Sequence, residues 1–453
     1  MSRKRWVFVA AAALVAVVVF VAPAAGQGKA TTATLGWSRA LGEPTITYYN
    51  FGSLGTGARV SRLFRLGSSS LTKSGKLAIT LTGSPAFSIA SDRCTDTSIG
   101  QNLACWVAVV YAPRVTQTRD SATLTATGQQ GEVARLSLVG SRARYVYWVD
   151  NGTCGLCHGG TVNKVPIGGG TVTTLARVPG GRWPASVAVD GTYVYWVSPS
   201  SSGAHGTVSK VPIGGGSVTT LAGAQGYPYS VAVDRTHVYW VNWLSGEVNK
   251  VPLGGGTVTT LANEGRPAYS IAVDSTNVYW DNDYSLGGGE LNKVPLGGGK
   301  VTKLVGGGSQ FGSVAVDGAH VFFTHHDGTV NQLPARGCCG MTVLARGQLS
   351  TSVAVDGTHV YWTSNTYFNP GGSGSPGWIG TVYSVPIGGG SVTTLGSARG
   401  GALAVAVDGT NVYWLAGGVG VRYGTVNMVP VGGGKVTVLA TNQESPVSLA
   451  VGP

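Results

Sequence analysis

The sequence predicts an all-β protein with a small β-sandwich over residues 32–141 and a seven-bladed β-propeller over residues 142–453. One observation is a repeated segment whose copies are spaced 39 to 52 residues apart, a period typical of repeat architectures. The other is composition. Glycine contributes 72 of 453 residues, charged residues are 11%, and Val and Thr dominate the repeats, which is typical of turn-rich β structure.

Each copy of the repeat predicts four short strands. The copy from Ser186 to Leu221 contains Ser-Val-Ala-Val, Val-Tyr-Trp, Thr-Val-Ser-Lys-Val-Pro and Val-Thr-Thr-Leu in that order. Four antiparallel strands make one propeller blade. The aromatic residue that ends the second run marks seven copies, at Trp148, Trp196, Trp240, Trp280, Phe323, Trp362 and Trp414.

The two ends of the repeat region predict a closed ring. No Ser-Val-Ala-Val run precedes Trp148, whereas Ser448-Leu-Ala-Val451 stands alone at the C-terminus. The C-terminal strand is therefore expected to complete the first blade, which leaves no long unpaired edge. Six blades is the alternative, if one divergent copy is displaced from the ring.

The N-terminal third has a different pattern. Residues 1–26 have the features of a signal peptide: basic residues, an apolar run from Trp6 to Val21, and small residues before the cleavage site. A retained membrane anchor is the alternative. Between residues 32 and 141, alternating runs such as Lys76–Leu81 and Trp106–Tyr111 are separated by turn signals, and predict a β-sandwich.

This domain resembles the immunoglobulin-like domains of the hydin and choice-of-anchor group. The residues that carry the resemblance are Ile79–Gly83, Phe87–Ile89, Asp92, Cys94, Cys105, Ala112-Pro113, Ala122–Leu124 and Leu136–Gly140. Tyr49-Asn-Phe-Gly52 stands where that group usually has an Asn-x-Gly turn. The resemblance implies an adhesive or spacer module.

Six cysteines form three local pairs: Cys94 with Cys105, Cys154 with Cys157, and Cys338 with Cys339. An even number in an exported chain favours disulfides. The first pair would close a loop between two sandwich strands. The adjacent pair would form a vicinal disulfide or stay free.

Cys154-Gly-Leu-Cys157-His158 matches the pattern for covalent attachment of haem c. In haem proteins this pattern opens a helix, whereas here it lies in a hairpin loop between two predicted strands. A short-loop disulfide is therefore the expected state, and no cofactor or metal is expected, since zinc usually needs four ligands.

One face of the predicted ring carries uniform turns. The Asp-Gly-Thr and Gly-Gly-Gly turns lie on this face, where glycine allows positive φ and aspartate bonds its own backbone. We expect the turn aspartates to be structural and the repeated Tyr and Trp to pack between blades. The turn aspartates are Asp190, Asp234, Asp274, Asp317, Asp356 and Asp408.

The opposite face carries loops that differ between copies, and variable loops on a rigid scaffold are where binding usually occurs. Aromatic residues gather there, so this face is the predicted ligand-binding surface. The candidate residues are Trp183, Tyr227, Tyr229, Trp243, Tyr269, Tyr284, Phe311 and Trp378. The alternative is that Tyr229, Tyr269 and Phe311 only fill the mouth of the central channel.

The chain is basic. Its net charge of +12 falls to about +9 without Arg3, Lys4 and Arg5 of the leader. A basic exported protein can associate with an anionic cell-envelope polymer, although solubility alone explains scattered charges. No arginine–aromatic cluster of the nucleic-acid-binding type is present, and nucleic acid is not an expected partner.

An enzyme is the alternative function. Asp281 and Asp283 on one blade, with His325 and His326 on the next, could act as acid and base in a lyase or hydrolase. Scattered solvated charges explain the same residues. The sequence has no Gly-x-Ser-x-Gly, no His-Glu-x-x-His and no P-loop.

The Val-Tyr-Trp run after Ala-Val-Asp resembles the YWTD class of propellers, and the Val-Pro-x-Gly-Gly-Gly turn resembles repeats of uncharacterised exported bacterial propellers. The Asp of YWTD is present only as Asp150. Members of that class usually have six blades. A second similarity is to the seven-bladed lyase that opens streptogramin antibiotics, which implies a histidine and metal site that this sequence does not place.

Together these features predict a secreted or cell-surface binding protein. Its variable face would engage an extracellular glycan, peptide or protein. We expect a monomer.

Overall fold

The computed structural model describes residues 34–54, 59–113, 119–152, 159–179, 181–203, 205–282, 288–307, 310–337, 340–347, 349–369, 377–417 and 423–452. The protein is all-β: these residues form nine four-stranded sheets and no helix. None of the described residues forms a helix that could cross a bilayer.

Eight strands form two sheets in the N-terminal part of the chain, in the orders β1-β3-β6-β5 and β2-β8-β7-β4. Within them β2 and β8 are parallel and all other pairs are antiparallel. The strands are β1 (Leu35–Ser38), β2 (Tyr48–Leu54), β3 (Val60–Ser68), β4 (Leu77–Gly83), β5 (Phe87–Asp92), β6 (Ala104–Tyr111), β7 (Arg119–Gly128) and β8 (Val133–Arg142).

The two sheets pack face to face. In β6 and β7 every second side chain is buried, the period expected when one face of a strand meets a core. Val107 and Val109 from the first sheet share one apolar cluster with Leu124 and Leu136 from the second. Burial of these alternating positions fixes the strand register, because a one-residue slip would turn them to solvent.

A disulfide joins Cys94 to Cys105, and this predicted pair is confirmed. It links the turn after β5 to β6, with Cα atoms 5.0 Å apart, and both side chains are buried. Residues 1–26, Cys154, Cys157, Cys338 and Cys339 lie outside the described residues, so the signal peptide and the other two cysteine pairs stay predictions.

The remaining strands form seven antiparallel sheets, numbered here in chain order. Sheet 1 contains β9 (Tyr145–Asp150), β10 (Thr161–Pro166), β11 (Thr173–Arg177) and β36 (Pro446–Gly452). Sheet 2 contains β12 (Ser186–Val189), β13 (Tyr193–Ser198), β14 (Gly206–Pro212) and β15 (Thr219–Gln225). Sheet 3 contains β16 (Pro228–Val233), β17 (His237–Asn242), β18 (Glu247–Pro252) and β19 (Thr259–Asn263). Sheet 4 contains β20 (Ala268–Val273), β21 (Asn277–Asn282), β22 (Glu290–Pro295) and β23 (Thr302–Gly306).

The last three sheets repeat this order of strands. Sheet 5 contains β24 (Phe311–Val316), β25 (His320–His325), β26 (Val330–Pro334) and β27 (Thr342–Ala345). Sheet 6 contains β28 (Ser350–Val355), β29 (His359–Phe368), β30 (Gly377–Pro386) and β31 (Thr393–Arg399). Sheet 7 contains β32 (Gly401–Val407), β33 (Asn411–Gly417), β34 (Gly424–Pro430) and β35 (Thr437–Gln443).

The sheets are joined into a closed ring, the arrangement of a β-propeller. The first strand of each sheet contacts the first strand of the next, and β36 contacts both β32 and β12. C-terminal β36 pairs with β9, with Leu449 opposite Trp148, which is the pairing that the sequence predicts. The Ser448 hydroxyl also accepts a hydrogen bond from the Val187 N–H of sheet 2, at 3.2 Å.

Apolar clusters fill the spaces between neighbouring sheets. Trp196 of sheet 2 packs with Tyr147 and Val149 of sheet 1, and Trp148 of sheet 1 packs with Tyr413 of sheet 7. The repeated Trp therefore faces the preceding sheet and the repeated Tyr faces the following one. This confirms that the aromatic pair of each repeat packs between sheets, where burial of large rings contributes most to stability.

The turn aspartates have a structural role, as expected. In sheet 2, Asp190 accepts hydrogen bonds from the N–H groups of Thr192 and Tyr193, and its second oxygen accepts one from the Tyr195 hydroxyl at 2.8 Å. The same Tyr–Asp bond occurs in sheets 3, 4, 6 and 7. In these five sheets the aspartate thus closes its turn and anchors the tyrosine that packs between sheets, whereas Asp317 of sheet 5 only closes its turn, since Phe322 replaces the tyrosine.

Four lysines of the third strands tie neighbouring sheets together. Each ammonium donates to a backbone carbonyl of the next sheet, at 2.5 to 2.6 Å. The pairs are Lys164 with Ile213, Lys210 with Leu253, Lys250 with Leu296, and Lys293 with Ala335. These charges hold the ring together, so they do not form a free basic surface for an anionic polymer.

Candidate functional site: an aromatic cluster on the variable face

Five of the candidate aromatic residues form one continuous cluster across sheets 2 to 4. Trp183 lies 6.0 Å from Tyr227 between ring centroids, and Tyr227 lies 5.2 Å from Trp243. Trp243 lies 6.2 Å from Tyr269, which lies 5.6 Å from Tyr229. These edge-on and tilted arrangements are the favourable geometries for aromatic pairs. The structure therefore brings together residues that are 86 positions apart in the sequence, from Trp183 to Tyr269.

The cluster is held by loops that follow the fourth and second strands. Tyr227 ends the loop between β15 and β16, and Trp243 begins the turn between β17 and β18. The Trp243 N–H donates to the Tyr227 carbonyl at 2.9 Å, which ties the two loops to each other. The Gln225 side chain, at the end of β15 in sheet 2, accepts a hydrogen bond from the indole N–H of Trp240 in sheet 3 at 3.0 Å, which ties the two sheets together beside this loop.

The backbone at Tyr227 is left-handed, with φ of 62°, a conformation that costs a non-glycine residue about 1–2 kcal/mol. The loop before β36 has the same construction: Ser445 has φ of 55°, and Gln443 accepts the Trp148 indole N–H. The left-handed turn is therefore a feature of this loop type. The loop between β15 and β16 differs from the loop before β36 in one respect: it carries the large ring of Tyr227 where the other loop carries the small side chain of Ser445.

The cluster offers ring surfaces and phenol groups to a ligand. Tyr229 is 40% exposed, and Trp183, Tyr227, Trp243 and Tyr269 are half-buried. Burial raises the pKa of Tyr229, helped by the neighbouring Tyr269, Tyr227 and Asp281, and burial also raises the pKa of Tyr227. Both phenols are therefore protonated at neutral pH. They can donate hydrogen bonds but have no phenolate to act as a nucleophile.

Phe311 does not belong to this surface. It is 4% exposed and packs against Phe323 and His325, with its ring 4.5 Å from the imidazole of His325. The first strands of sheets 3, 4 and 5 share a bulge where they begin. Phe311 occupies the buried position before the bulge, which in sheet 4 holds Ala268. The partly exposed position that Tyr269 holds in sheet 4 is Gly312 in sheet 5, so the prediction that Phe311 is exposed on the binding surface was wrong.

Trp378 lies apart from the cluster, on the long hairpin of β29 and β30. It forms an edge-on pair with Tyr367, 5.3 Å between centroids, and Tyr367 is 56% exposed. Tyr284 lies outside the described residues.

The residues of the enzyme alternative are placed as parts of the framework. Asp281 is 1% exposed, and its Oδ1 accepts hydrogen bonds from the N–H groups of Tyr269 and Ser270 in the bulge of β20. His325 is 7% exposed, and burial lowers its pKa; the negative charge of nearby Asp327 opposes this shift only in part, and His326 adds a smaller lowering contribution. A neutral buried imidazole is a poor proton donor. His326 is exposed, and Asp283 lies outside the described residues.

No group of three or more histidine, cysteine or acidic side chains that could hold a metal occurs among the described residues. His158, like Cys154 and Cys157, lies outside them, so the haem motif cannot be placed.

Sequence reasoning did not single out a buried carboxyl group whose pKa is strongly raised. Asp150, in the position of the YWTD aspartate, is 4% exposed and accepts hydrogen bonds from Asn163 at 2.8 Å and Trp148 at 3.3 Å. Burial raises its pKa to about 7, with a smaller contribution from Glu444. Its position as the one aspartate in that repeat slot was the available signal.

No family model and no curated protein matches the chain. Among solved structures, a nidogen/laminin complex shows 13% identity and a TM-score of 0.44, covering 68% of this chain and 98% of that one. TolB from Acinetobacter baumannii shows 13% identity and a TM-score of 0.43, with 73% and 79% covered. Apo AztD from Citrobacter koseri shows 10% identity and a TM-score of 0.45, with 68% and 98% covered. Likenesses this distant carry no argument about function, and the fold rests on strand order and register.

Proposed function

We propose that this chain is an exported binding protein. Its seven sheets are the blades of a seven-bladed propeller, residues 142–453, and an immunoglobulin-like sandwich, residues 32–141, acts as a spacer. The aromatic cluster of Trp183, Tyr227, Tyr229, Trp243 and Tyr269 takes the ligand, which is an extracellular glycan, peptide or protein.

The observation that carries this proposal is the continuity of the cluster on the variable face. Five large rings, all at least partly accessible, contact one another: three lie on loops that vary between repeats and two lie on the strands β16 and β20. In the interior of the ring, by contrast, the repeated Trp and Tyr are almost fully buried. Grouped, partly exposed aromatic residues are typical of binding surfaces, since they supply a large contact area at low cost in side-chain entropy.

Export to an oxidising compartment is supported by the Cys94–Cys105 disulfide, since structural disulfides are rare in reducing compartments. The boundary at residue 142 is supported by the change from the sandwich cluster to the clusters of the ring. Arg144, just after it, pairs with Asp408 of sheet 7 at 2.9 Å and anchors the start of the ring.

The test is retention of residues 27–453 on immobilised envelope polysaccharides, peptides and secreted proteins, compared with a Tyr227→Ala/Trp243→Ala variant. We expect retention on one ligand class and its loss in the double variant. Leu41→Ala, which removes an exposed apolar side chain from the sandwich, is the control and should bind normally. Retention that the double variant keeps would contradict the proposal.

A further inference from the structure

The inner strand of each sheet is the one that carries the Ser-Val-Ala-Val run, which is β36 in sheet 1 and the first strand in sheets 2 to 7. These inner strands differ from sheet to sheet at the residue where each one begins, on the variable face. This position, directly before the Ser or Ala that begins the Ser-Val-Ala-Val run, holds tyrosine in sheets 3 and 4 and smaller residues elsewhere. In order of the sheets the residues are Val447, Ala185, Tyr229, Tyr269, Gly312, Thr351 and Leu403. One arc of the ring is therefore filled with aromatic rings, whereas the arc of sheets 5 to 7 has no ring at this position.

A cavity of about 400 Å³ lies on that second arc. Its walls come from the inner strands of sheets 6 and 7, the long hairpin of sheet 6 and the end of β25. The main contributors are His326, Leu349, Thr351, Asn365, Trp378 and Leu403. This volume suits a small organic molecule, since ligand pockets typically begin at about 300 Å³.

The polar groups that form the wall are mostly satisfied within the protein. Asn365 accepts a hydrogen bond from the Ala402 N–H at 2.6 Å and donates one to the Ala402 carbonyl at 3.2 Å. The Thr351 hydroxyl bonds to Thr363 at 2.9 Å and to the same carbonyl at 2.8 Å. What the wall presents to a ligand is therefore the apolar surface of Leu349, Leu403 and Trp378.

His326 is the exception at the rim. Its side chain is exposed and makes no hydrogen bond or ion pair in the part of the chain that the structure describes. Its backbone is fixed, because its N–H donates to the Gln310 carbonyl at 2.8 Å. A neutral imidazole can both donate and accept a hydrogen bond, and a protonated one can pair with an anion.

We propose that this cavity binds a small aromatic molecule whose ring lies between Leu349, Leu403 and Trp378 and whose anionic substituent reaches His326. The tyrosines of sheets 3 and 4 show that the repeat accepts an aromatic ring at the position that Leu403 occupies. The site is separate from the aromatic cluster on sheets 2 to 4, so it does not depend on the proposed function.

Two fluorescent probes test this site. 1-Anilinonaphthalene-8-sulfonate has an aromatic core and an anionic group, and N-phenyl-1-naphthylamine has the same core without the sulfonate. We expect both to bind the protein saturably at one site. Leu403→Tyr, which supplies the ring found in sheets 3 and 4, should weaken both at least tenfold. Val447→Tyr, the same substitution at the matching position of sheet 1, should leave both unchanged.

His326→Ala distinguishes the contribution of the probe's anionic group to binding from that of its aromatic ring. It should weaken binding of the sulfonate about three- to tenfold, since a charge-assisted hydrogen bond is lost, and leave the uncharged probe unchanged. If the circular dichroism spectrum shows that Leu403→Tyr does not fold, Trp378→Ala serves as a second variant. It removes a large apolar side chain from the cavity wall and should also weaken binding of both probes. Absence of saturable binding would overturn the proposal, as would equal binding by wild type, Leu403→Tyr and Trp378→Ala.

Discussion

Asp150→Asn is expected to stabilise the protein at alkaline pH. The pKa of the Asp150 carboxyl is raised by burial from its ordinary value of 3.8 to about 7. Above pH 3.8 the unfolded chain therefore loses this proton while the folded chain keeps it, and the stability that the protonated group contributes is lost as the pH rises to about 7. At 1.36 kcal/mol per pKa unit, the cost of the buried charge reaches about 4 kcal/mol above pH 7.

An asparagine avoids this cost because its amide is neutral at every pH. Its oxygen can still accept the hydrogen bonds that Asp150 accepts from Asn163 and Trp148. The assay is urea unfolding of wild type and variant at pH 4, 6 and 8, followed by tryptophan fluorescence. We expect little difference at pH 4 and a more stable variant at pH 8. Asp96→Asn, at an exposed turn of the sandwich, controls for the loss of one negative charge.

A difference between Asp150→Asn and wild type that does not change with pH would refute this reasoning. So would a variant that is less stable than wild type at pH 8, because the ionised carboxylate would then be stabilised by its surroundings.

Three further predictions concern the framework. Trp280→Ala, which empties a fully buried site between sheets 3 and 4, should lower the free energy of unfolding by about 3–5 kcal/mol in urea. Tyr239→Phe removes the hydroxyl that donates to Asp234 at 2.9 Å, and should cost about 1–3 kcal/mol by the same measurement without changing the circular dichroism spectrum. Replacing Cys94 and Cys105 together by alanine should lower the free energy of unfolding of the sandwich by about 3 kcal/mol. In thermal unfolding the variant should melt at a lower temperature than wild type, and reducing agent should no longer change that temperature.

The ring could be predicted from the sequence because its repeats are explicit. The pairing of β36 with β9 follows because the repeat that contains Trp148 lacks its first strand, whereas the C-terminal strand that contains Leu449 belongs to no other repeat. The disulfide followed from two nearby cysteines on predicted neighbouring strands. Both inferences need only strand order, which local patterns reveal.

The site could be predicted only in part, because side-chain direction depends on details that the repeat pattern hides. Tyr229 and Tyr269 directly precede the Ser-Val-Ala-Val or Ser-Ile-Ala-Val run and are accessible, whereas Phe311 lies one residue further from its run and is buried. The cavity combines Leu349 from the connection before β28 with Trp378 of β30 and Leu403 of β32, and its volume depends on how these segments pack. No local pattern in the sequence reports that packing.

The sharpest test of the aromatic cluster as the binding site is the dissociation constant of the ligand class retained on the immobilised support, measured for Trp243→Ala and Trp378→Ala separately. The two tryptophans lie on different arcs of the same face, one in the aromatic cluster and one beside the cavity. We expect at least tenfold weaker binding for Trp243→Ala and wild-type binding for Trp378→Ala. Wild-type binding by Trp243→Ala would contradict this expectation.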